Sequence, residues 1–313
     1  MINLHVVMDN ASEVMIFTLS GFNSIVNYRF TLFAITFVCY CVIVQVNVTL
    51  IVAIIVDKSL HEPMYIFLCN LCINSLYGTA AFYPKFLIDI LSTSHVISYA
   101  GCLVQSFAVN SSACADFSLL VLMAYDRYVA ICRPLVYHSV MNPQRVSALV
   151  FAAWILPLGQ IFITTTSTST LTLCGSHLVR MYCINYVIRR LECTISITTA
   201  FFSVFIITFY FCHFLLVTYS YFYIMRTCLT GKEERMKFLQ TCLPHLMSFI
   251  IVAMCLLFDV LHVRLRSEKM SESAQNFIAI QFLLFPPLIN PLIYGLKLTK
   301  VRNRIERFLC RKS

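Results

Sequence analysis

Charged residues and glycine are both scarce in this 313-residue sequence. Asp, Glu, Lys and Arg make up 12% of the residues, whereas hydrophobic residues make up 59%. A soluble globular protein has about 25% charged and about 45–50% apolar residues, so this chain cannot cover itself with a water-compatible surface. Its seven glycines lie too far apart for a GxGxxG or Walker-type phosphate loop, and HExxH and GxSxG sequences are absent. These absences exclude an ordinary soluble enzyme.

Long apolar runs take the place of charge. A helix needs about 20 apolar residues to cross the hydrocarbon core, and seven stretches meet this length. They contain no Asp, Glu, Lys or Arg except Asp116 in the third. Period-two alternation is absent, so helices are the remaining way to satisfy the backbone in lipid. We therefore predict an all-α membrane protein, a seven-transmembrane helix bundle. Its first to seventh spans are 30–56, 63–84, 90–125, 146–166, 194–225, 238–258 and 273–296.

The basic residues are distributed unevenly across the predicted membrane. When loops are assigned to alternate sides, 15 of the 23 Lys and Arg fall on the C-terminal side and 8 on the other. The positive-inside rule then predicts an extracellular segment at 1–27, the seven-span domain at 28–296 and a cytoplasmic tail at 297–313. The net charge of +9 mostly reflects this asymmetry, not a nucleic-acid footprint. No basic region with a cleavage site precedes the first span, which we expect to be an uncleaved insertion signal.

Cysteines and one sequon fit this orientation. Four of the 15 cysteines are predicted outside: Cys102, Cys174, Cys183 and Cys193. An even number in an oxidising compartment indicates two disulfides, and three pairings are possible on arithmetic alone. The sequon at Asn10 predicts glycosylation on the outer segment, although such short sequences also arise by chance.

Several motifs occur in a fixed order along the chain. They are MAYDRYVAICRPL at 123–135, PMYIFL at 63–68, Ser220-Tyr221 with Ile224, TCLPHL at 241–246 and PLINPLIY at 287–294. Together they resemble the olfactory receptors, a family of rhodopsin-like G-protein-coupled receptors, from about residue 47 to residue 302. In the fourth motif Pro244 stands where the family usually has serine. The NLCINSLYG run from Asn70 resembles aquatic-vertebrate members, whose ligands arrive dissolved in water.

The resemblance implies a switch at the cytoplasmic ends of the spans. Arg127 of the Asp126-Arg127-Tyr128 sequence would pair with Asp126 at rest and would contact Tyr221 and the G protein in the active state. Asn290, Pro291 and Tyr294 belong to the same switch by resemblance. From spacing alone, an arginine that only anchors the helix at the headgroups is an equal alternative. The resemblance also implies the pairings Cys102–Cys183 and Cys174–Cys193.

Asp116 is a carboxylate within the third span. A charge there costs about 2.5–3.5 kcal/mol on insertion scales, so it normally faces a polar cavity. We expect Asn74, Ser75 and Asn290 near it. Related receptors usually carry a second acid where Ser75 stands, which argues against a sodium site. A protonated Asp116 hydrogen-bonded to Asn290 is the alternative.

The resemblance places a small organic ligand in the outer half of the bundle. Most of the predicted lining is apolar, and Asn110 would supply an orienting hydrogen bond. The absence of a charged residue disfavours an amine ligand, and Ala253 replaces an aromatic residue that many relatives carry. Ordinary helix packing is the alternative for each position alone. The ten positions are Val109, Asn110, Ala113, Cys114, Phe205, Phe209, Ala253, Leu256, Ile280 and Leu283.

The tail predicts a short amphipathic helix on the inner leaflet. Leu298, Val301, Ile305, Phe308 and Leu309 recur at helical spacing among basic residues. Cys310 at its end is a candidate palmitoylation site or an unmodified thiol.

These observations predict an odorant receptor in the plasma membrane of olfactory cilia. It would need no cofactor, and it would activate a stimulatory or olfactory-type heterotrimeric G protein that raises cyclic AMP. A non-olfactory rhodopsin-like receptor for a metabolite is one alternative. A transporter is another, but the sequence lacks the internal repeats and the several buried charges that a transporter would show.

Overall fold

A computed structural model describes residues 16–22, 28–194, 197–228, 242–265, 272–297 and 301–302. Seven long helices follow the seven predicted spans in order. Six of them are long and apolar enough to cross a membrane, and the sixth span contributes a shorter apolar stretch, Leu243–Phe258. The predicted helical bundle is therefore confirmed. The helices are α1 (Arg29–Val56), α2 (Pro63–Leu91), α3 (Tyr99–Cys132), α4 (Tyr137–Val140), α5 (Pro143–Ser169), α6 (Asn185–Arg189), α7 (Ile197–Cys228), α8 (Leu243–Leu265) and α9 (Glu272–Lys297).

Side chains and prolines fix where several helices begin. Ser98 caps α3 by accepting a hydrogen bond from the Gly101 amide at 3.2 Å. Asn142 caps α5 in the same way, through the Arg145 amide at 2.9 Å. Pro63 and Pro143 stand in first turns, where a missing N–H leaves no helical bond unmade. The second helix is several residues longer than its uncharged stretch because charged residues at its end still have helical backbone. The third helix begins at Tyr99, nine residues after the predicted start of its span.

The third span, α3, is the centre of the bundle and packs against the second, fourth, fifth and sixth spans. It meets the second span closely at Gly78, where an added Cβ would lie 2.3 Å from the Ser112 Oγ. The fourth and fifth spans bury few of their residues and present apolar side chains outward. Such outer faces suit a lipid environment, because lipid tails are as apolar as the side chains that meet them.

A small sheet covers the end of the bundle that carries Cys102, which we call the disulfide end. Its strands are β1 (Ile16–Leu19), β2 (Val96–Ser98) and β3 (His177–Leu178), in the order β2-β1-β3. β1 pairs antiparallel with β2 and parallel with β3. The sequence pattern predicted only helices, because strands this short carry too little alternation to be recognised. Phe17, Leu19 and Phe22 are buried, so this part of the N-terminal segment packs onto the bundle.

Candidate ligand pocket and switch region

Asp126 and Arg127 form an ion pair at the end of the bundle opposite the disulfides, which we call the Arg127 end. The Arg127 Nε donates to the Asp126 Oδ2 at 2.9 Å, and a second guanidinium nitrogen contacts the same oxygen. Asp126 is fully buried, whereas Arg127 keeps some exposure. The arginine is therefore held by its neighbour in sequence and is not bonded to Tyr221.

Tyr137 occupies the second oxygen of the same carboxylate. Its hydroxyl donates to the Asp126 Oδ1 at 2.8 Å. The residue lies in α4, two residues beyond the matched 123–135 string, and sequence reasoning missed it. Tyr137 could have been found as a hydroxyl-bearing residue a few positions after the end of the third helix, where the chain is still close to Asp126. Burial and the adjacent carboxylate raise the pKa of Tyr137, so its proton is retained for donation.

The other predicted switch residues lie on three helices. Tyr128 packs against Tyr223 of the fifth span, with ring centroids 5.7 Å apart. Tyr221 is buried nearby on that helix. Tyr294 is buried in the seventh span, and its hydroxyl lies 3.1 Å from the Nδ1 of His245 in the sixth. Those two side chains join the last two spans at this end.

Pro291 leaves a backbone carbonyl without its helical donor, because proline has no N–H to offer to residue 287. The Asn47 amide of the first span donates to that Pro287 carbonyl at 2.8 Å. Asn47 is buried, and through this bond it supports the seventh span.

Asp116 is 2% exposed and receives a hydrogen bond from Asn74 at 2.7 Å. The same Asn74 amide nitrogen also donates to the Ser112 carbonyl at 2.8 Å. Ser75 and Asn290 are buried as well, but among the described residues neither polar atom of the Asn290 side chain has a partner. Of the neighbours expected for Asp116, Asn74 of the second span therefore makes the hydrogen bond, and the alternative bond to Asn290 is not formed.

Metal-ligating side chains do not cluster in the part of the chain that the structure describes. No group there has three or more His, Cys, Asp or Glu that could hold a metal ion. Cys69 and Cys72 stand at CxxC spacing inside the second span, and both are buried free thiols.

Two disulfides fasten the loop between the fourth and fifth spans. The structure joins Cys102 to Cys183 and Cys174 to Cys193, the two pairings that the resemblance implied. The Gln105 side-chain oxygen accepts from the Cys183 amide at 2.9 Å. This loop, together with β1, forms a lid over the disulfide end.

The predicted ligand positions on the third span lie below this lid. Val109 is buried, and Ala113 and Cys114 are partly buried. The Asn110 amide donates to the Ser106 carbonyl of its own helix at 2.7 Å. Within the described residues its side-chain oxygen has no partner, so that oxygen is the atom that can accept from a ligand.

The predicted ligand positions on the fifth, sixth and seventh spans differ in how deeply they are buried. Leu283 is buried, while Ala253, Leu256 and Ile280 are partly buried and pack against the core. Phe209 is partly buried, and its ring contacts residues of its own helix. Phe205 stacks on Phe209 at 6.3 Å but is 49% exposed. Its place in a ligand site stays a prediction.

Comparison with known proteins decides the family. A family model described as "Olfactory receptor" matches residues 36–312. The human Olfactory receptor 5AN1 is 31% identical over 312 residues, which cover 97% of this chain and 98% of that protein. The human Olfactory receptor 7C1 is 32% identical, with 97% and 95% covered, and the Pan troglodytes Olfactory receptor 1D2 is 32% identical, with 96% of each covered. This chain belongs to the olfactory receptor family.

The olfactory receptor is thus a rhodopsin-like G-protein-coupled receptor and a multi-pass membrane protein, and not an enzyme. Two predicted modification sites, Asn10 and Cys310, lie outside the described residues. So does most of the predicted amphipathic helix, of which Val301 is described and buried.

Proposed function

We propose that this olfactory receptor binds small organic odorants beneath the lid and activates a stimulatory or olfactory-type heterotrimeric G protein, raising cyclic AMP. The observation that carries the proposal is the buried Asp126 with Arg127 and Tyr137 on its two oxygens. An arginine held by one ion pair at a helix end can be released, and its guanidinium group can then donate hydrogen bonds to another partner.

The disulfide end faces the outside of the cell in this proposal, and the Arg127 end faces the cytoplasm. Disulfides persist in oxidising compartments, and the excess of Lys and Arg falls on the opposite side. We place the protein in the plasma membrane of olfactory cilia, with segment 1–27 outside and tail 297–313 inside.

The ligand is a neutral molecule of modest polarity. Of the ten candidate positions, Asn110 alone has an amide side chain, and none carries a charge. An apolar lining with a few orienting polar groups is typical of sites for small organic molecules. The ligand must bind the active form more tightly than the resting form, since equal affinity shifts no equilibrium.

The G protein docks at the Arg127 end. Leu135 there is 100% exposed, and it follows Arg133 and Pro134 in the loop after the third span. An apolar side chain beside basic residues on the cytoplasmic face suits a partner with an apolar pocket and acidic surroundings.

A cyclic-AMP reporter assay with a broad odorant panel tests this function. Cells would express the full chain with an extracellular tag that reports surface delivery. We expect at least one odorant to raise cyclic AMP in the wild type and not in Arg127→Ala at equal surface amount. Responses of equal size in both would contradict the role of Arg127.

A further inference from the structure

The seventh span is weakened by three prolines in its middle. In an α-helix the N–H of each residue donates to the carbonyl four residues earlier, and proline has no N–H. Pro286, Pro287 and Pro291 therefore leave the carbonyls of Phe282, Leu283 and Pro287 without helical donors. A buried carbonyl without a donor is costly, so donors from elsewhere determine which shape of this segment is stable.

Side chains of two other spans supply such donors. Asn47 of the first span donates to the Pro287 carbonyl. The Tyr83 hydroxyl of the second span donates to the Leu283 carbonyl at 3.4 Å. This bond is long, so a small shift of the seventh span is enough to break it.

The lid also forms a hydrogen bond with the seventh span, one helical turn before Leu283. The Tyr182 hydroxyl donates to the Ala279 carbonyl at 2.7 Å, and Tyr182 precedes the disulfide-bonded Cys183. The two tyrosines are connected through Phe82, whose ring meets Tyr83 edge-on at 5.1 Å and Tyr182 edge-on at 5.3 Å.

All of these groups are fixed by packing. Tyr83 is 1% exposed, and its ring stacks on Tyr40 of the first span at 4.9 Å. Phe82 is fully buried and stacks on Phe86 at 4.8 Å. Rings held in this way keep the Tyr83 hydroxyl in place, so a change in the bond reports movement of the seventh span.

We propose that Tyr83 is a positioning residue that holds the proline-broken part of the seventh span in its resting shape, with Tyr182 holding the adjacent turn from the lid. The proposal rests on the proposed function. Ile280 and Leu283, two of the candidate ligand positions, lie in the restrained segment. A ligand against them acts on the seventh span directly, with no aromatic residue needed at Ala253 of the sixth span.

The resting assignment follows from the other end of the same structure. Arg127 is paired with Asp126 there and is not released. Loss of the Tyr83 bond therefore removes a contact from the resting form. Removal of one hydrogen bond shifts such an equilibrium by roughly two- to ten-fold, here toward the active form.

Tyr83→Phe tests the restraint because it keeps the ring and removes only the hydroxyl. The matched control is Tyr40→Phe, since the Tyr40 hydroxyl makes no hydrogen bond among the described residues. Hydrogen–deuterium exchange on the purified full chain would follow the peptide at 276–290. We expect roughly two- to ten-fold faster exchange in Tyr83→Phe than in wild type or Tyr40→Phe, and equal rates in all three would overturn the proposal.

Pro287→Ala supplies a rescue. Alanine restores the N–H that donates to the Leu283 carbonyl, so Tyr83→Phe should have no further effect on exchange in that background. An effect that persists at full size would show that the hydroxyl does not act through this carbonyl, and would overturn the proposal. The double variant also keeps the test informative if Tyr83→Phe alone folds poorly.

Basal cyclic AMP separates this proposal from the proposed function. We expect Tyr83→Phe to raise it about two- to ten-fold over Tyr40→Phe at equal surface amount. Faster exchange in a receptor that never signals with any odorant would support the restraint and contradict the coupling. A receptor that signals with unchanged basal level and unchanged exchange would support the coupling and overturn the restraint.

Discussion

Tyr137→Phe is expected to raise ligand-independent signalling. The hydroxyl donates to one oxygen of Asp126, while Arg127 holds the other. Without that donor the buried carboxylate has an oxygen unpaired in the resting form. The free energy of the resting form therefore rises relative to that of an active form in which Arg127 has been released.

The magnitude follows from the burial of the two partners. A hydrogen bond to a charged group contributes about 1.5–3 kcal/mol when both partners are buried. Asp126 is fully buried, but Tyr137 is only partly so, and water can take over part of the bond. A loss of about 1 kcal/mol remains, which corresponds to a roughly five-fold higher ratio of active to resting receptor.

Basal cyclic AMP in cells, normalised to surface receptor, measures this ratio while the active form is rare. Tyr219→Phe is the matched control because Tyr219 lies on the outward face of the fifth span and is largely exposed. Burial and Asp126 keep the pKa of Tyr137 above its ordinary value, so the donor is protonated at physiological pH and lost only in strong alkali. A basal level in Tyr137→Phe equal to or below that of the control would refute the reasoning.

Three further substitutions test the packing of the bundle. Gly78→Ala should strongly reduce surface receptor and thermal stability, because its Cβ would lie 2.3 Å from the Ser112 Oγ and 2.8 Å from the Ser112 Cβ; normal surface amounts would contradict the close approach. Asn47→Leu should lower the midpoint of thermal unfolding in detergent by several degrees, since the Pro287 carbonyl loses its donor at a cost of about 1–3 kcal/mol. An unchanged midpoint would mean that the carbonyl finds another partner. Cys102→Ser opens a loop closed over 81 residues and should cost roughly 2–4 kcal/mol, seen as loss of odorant response and of surface antibody staining; a full response would show that the lid does not need the bridge.

The sequence was sufficient for the parts of the fold that depend on composition and on contiguous patterns. Uncharged stretches predicted all seven helices, because each must satisfy its backbone within lipid. The predicted ends of the helices were less accurate. Charged residues such as Lys85 and Asp89 terminate an uncharged stretch but not a helix, and α2 continues past both to Leu91.

The parts that depend on contacts across the chain could not be predicted. The bond from Tyr137 to Asp126 crosses a helix end, and the bond from Asn74 to Asp116 depends on the close approach at Gly78. Helical spacing places a residue on a face but does not say which of two neighbouring amides lies nearer. For that reason the sequence placed both Asn74 and Asn290 near Asp116, and the structure shows that Asn74 makes the bond.

The two ends of the molecule differ in how firmly they are held, and this difference favours a switch at the Arg127 end. The disulfide end has two covalent bridges, the backbone bonds of the sheet and buried Phe17 beneath them. The described residues of the Arg127 end are held together by noncovalent contacts, among them the Asp126–Arg127 ion pair, the Tyr137 bond and the contact between His245 and Tyr294. Each polar contact there contributes about 1–3 kcal/mol, a range that the differential affinity of a ligand can match. The same ligand cannot break a disulfide, so under the proposed function binding at the disulfide end would shift the equilibrium at the Arg127 end.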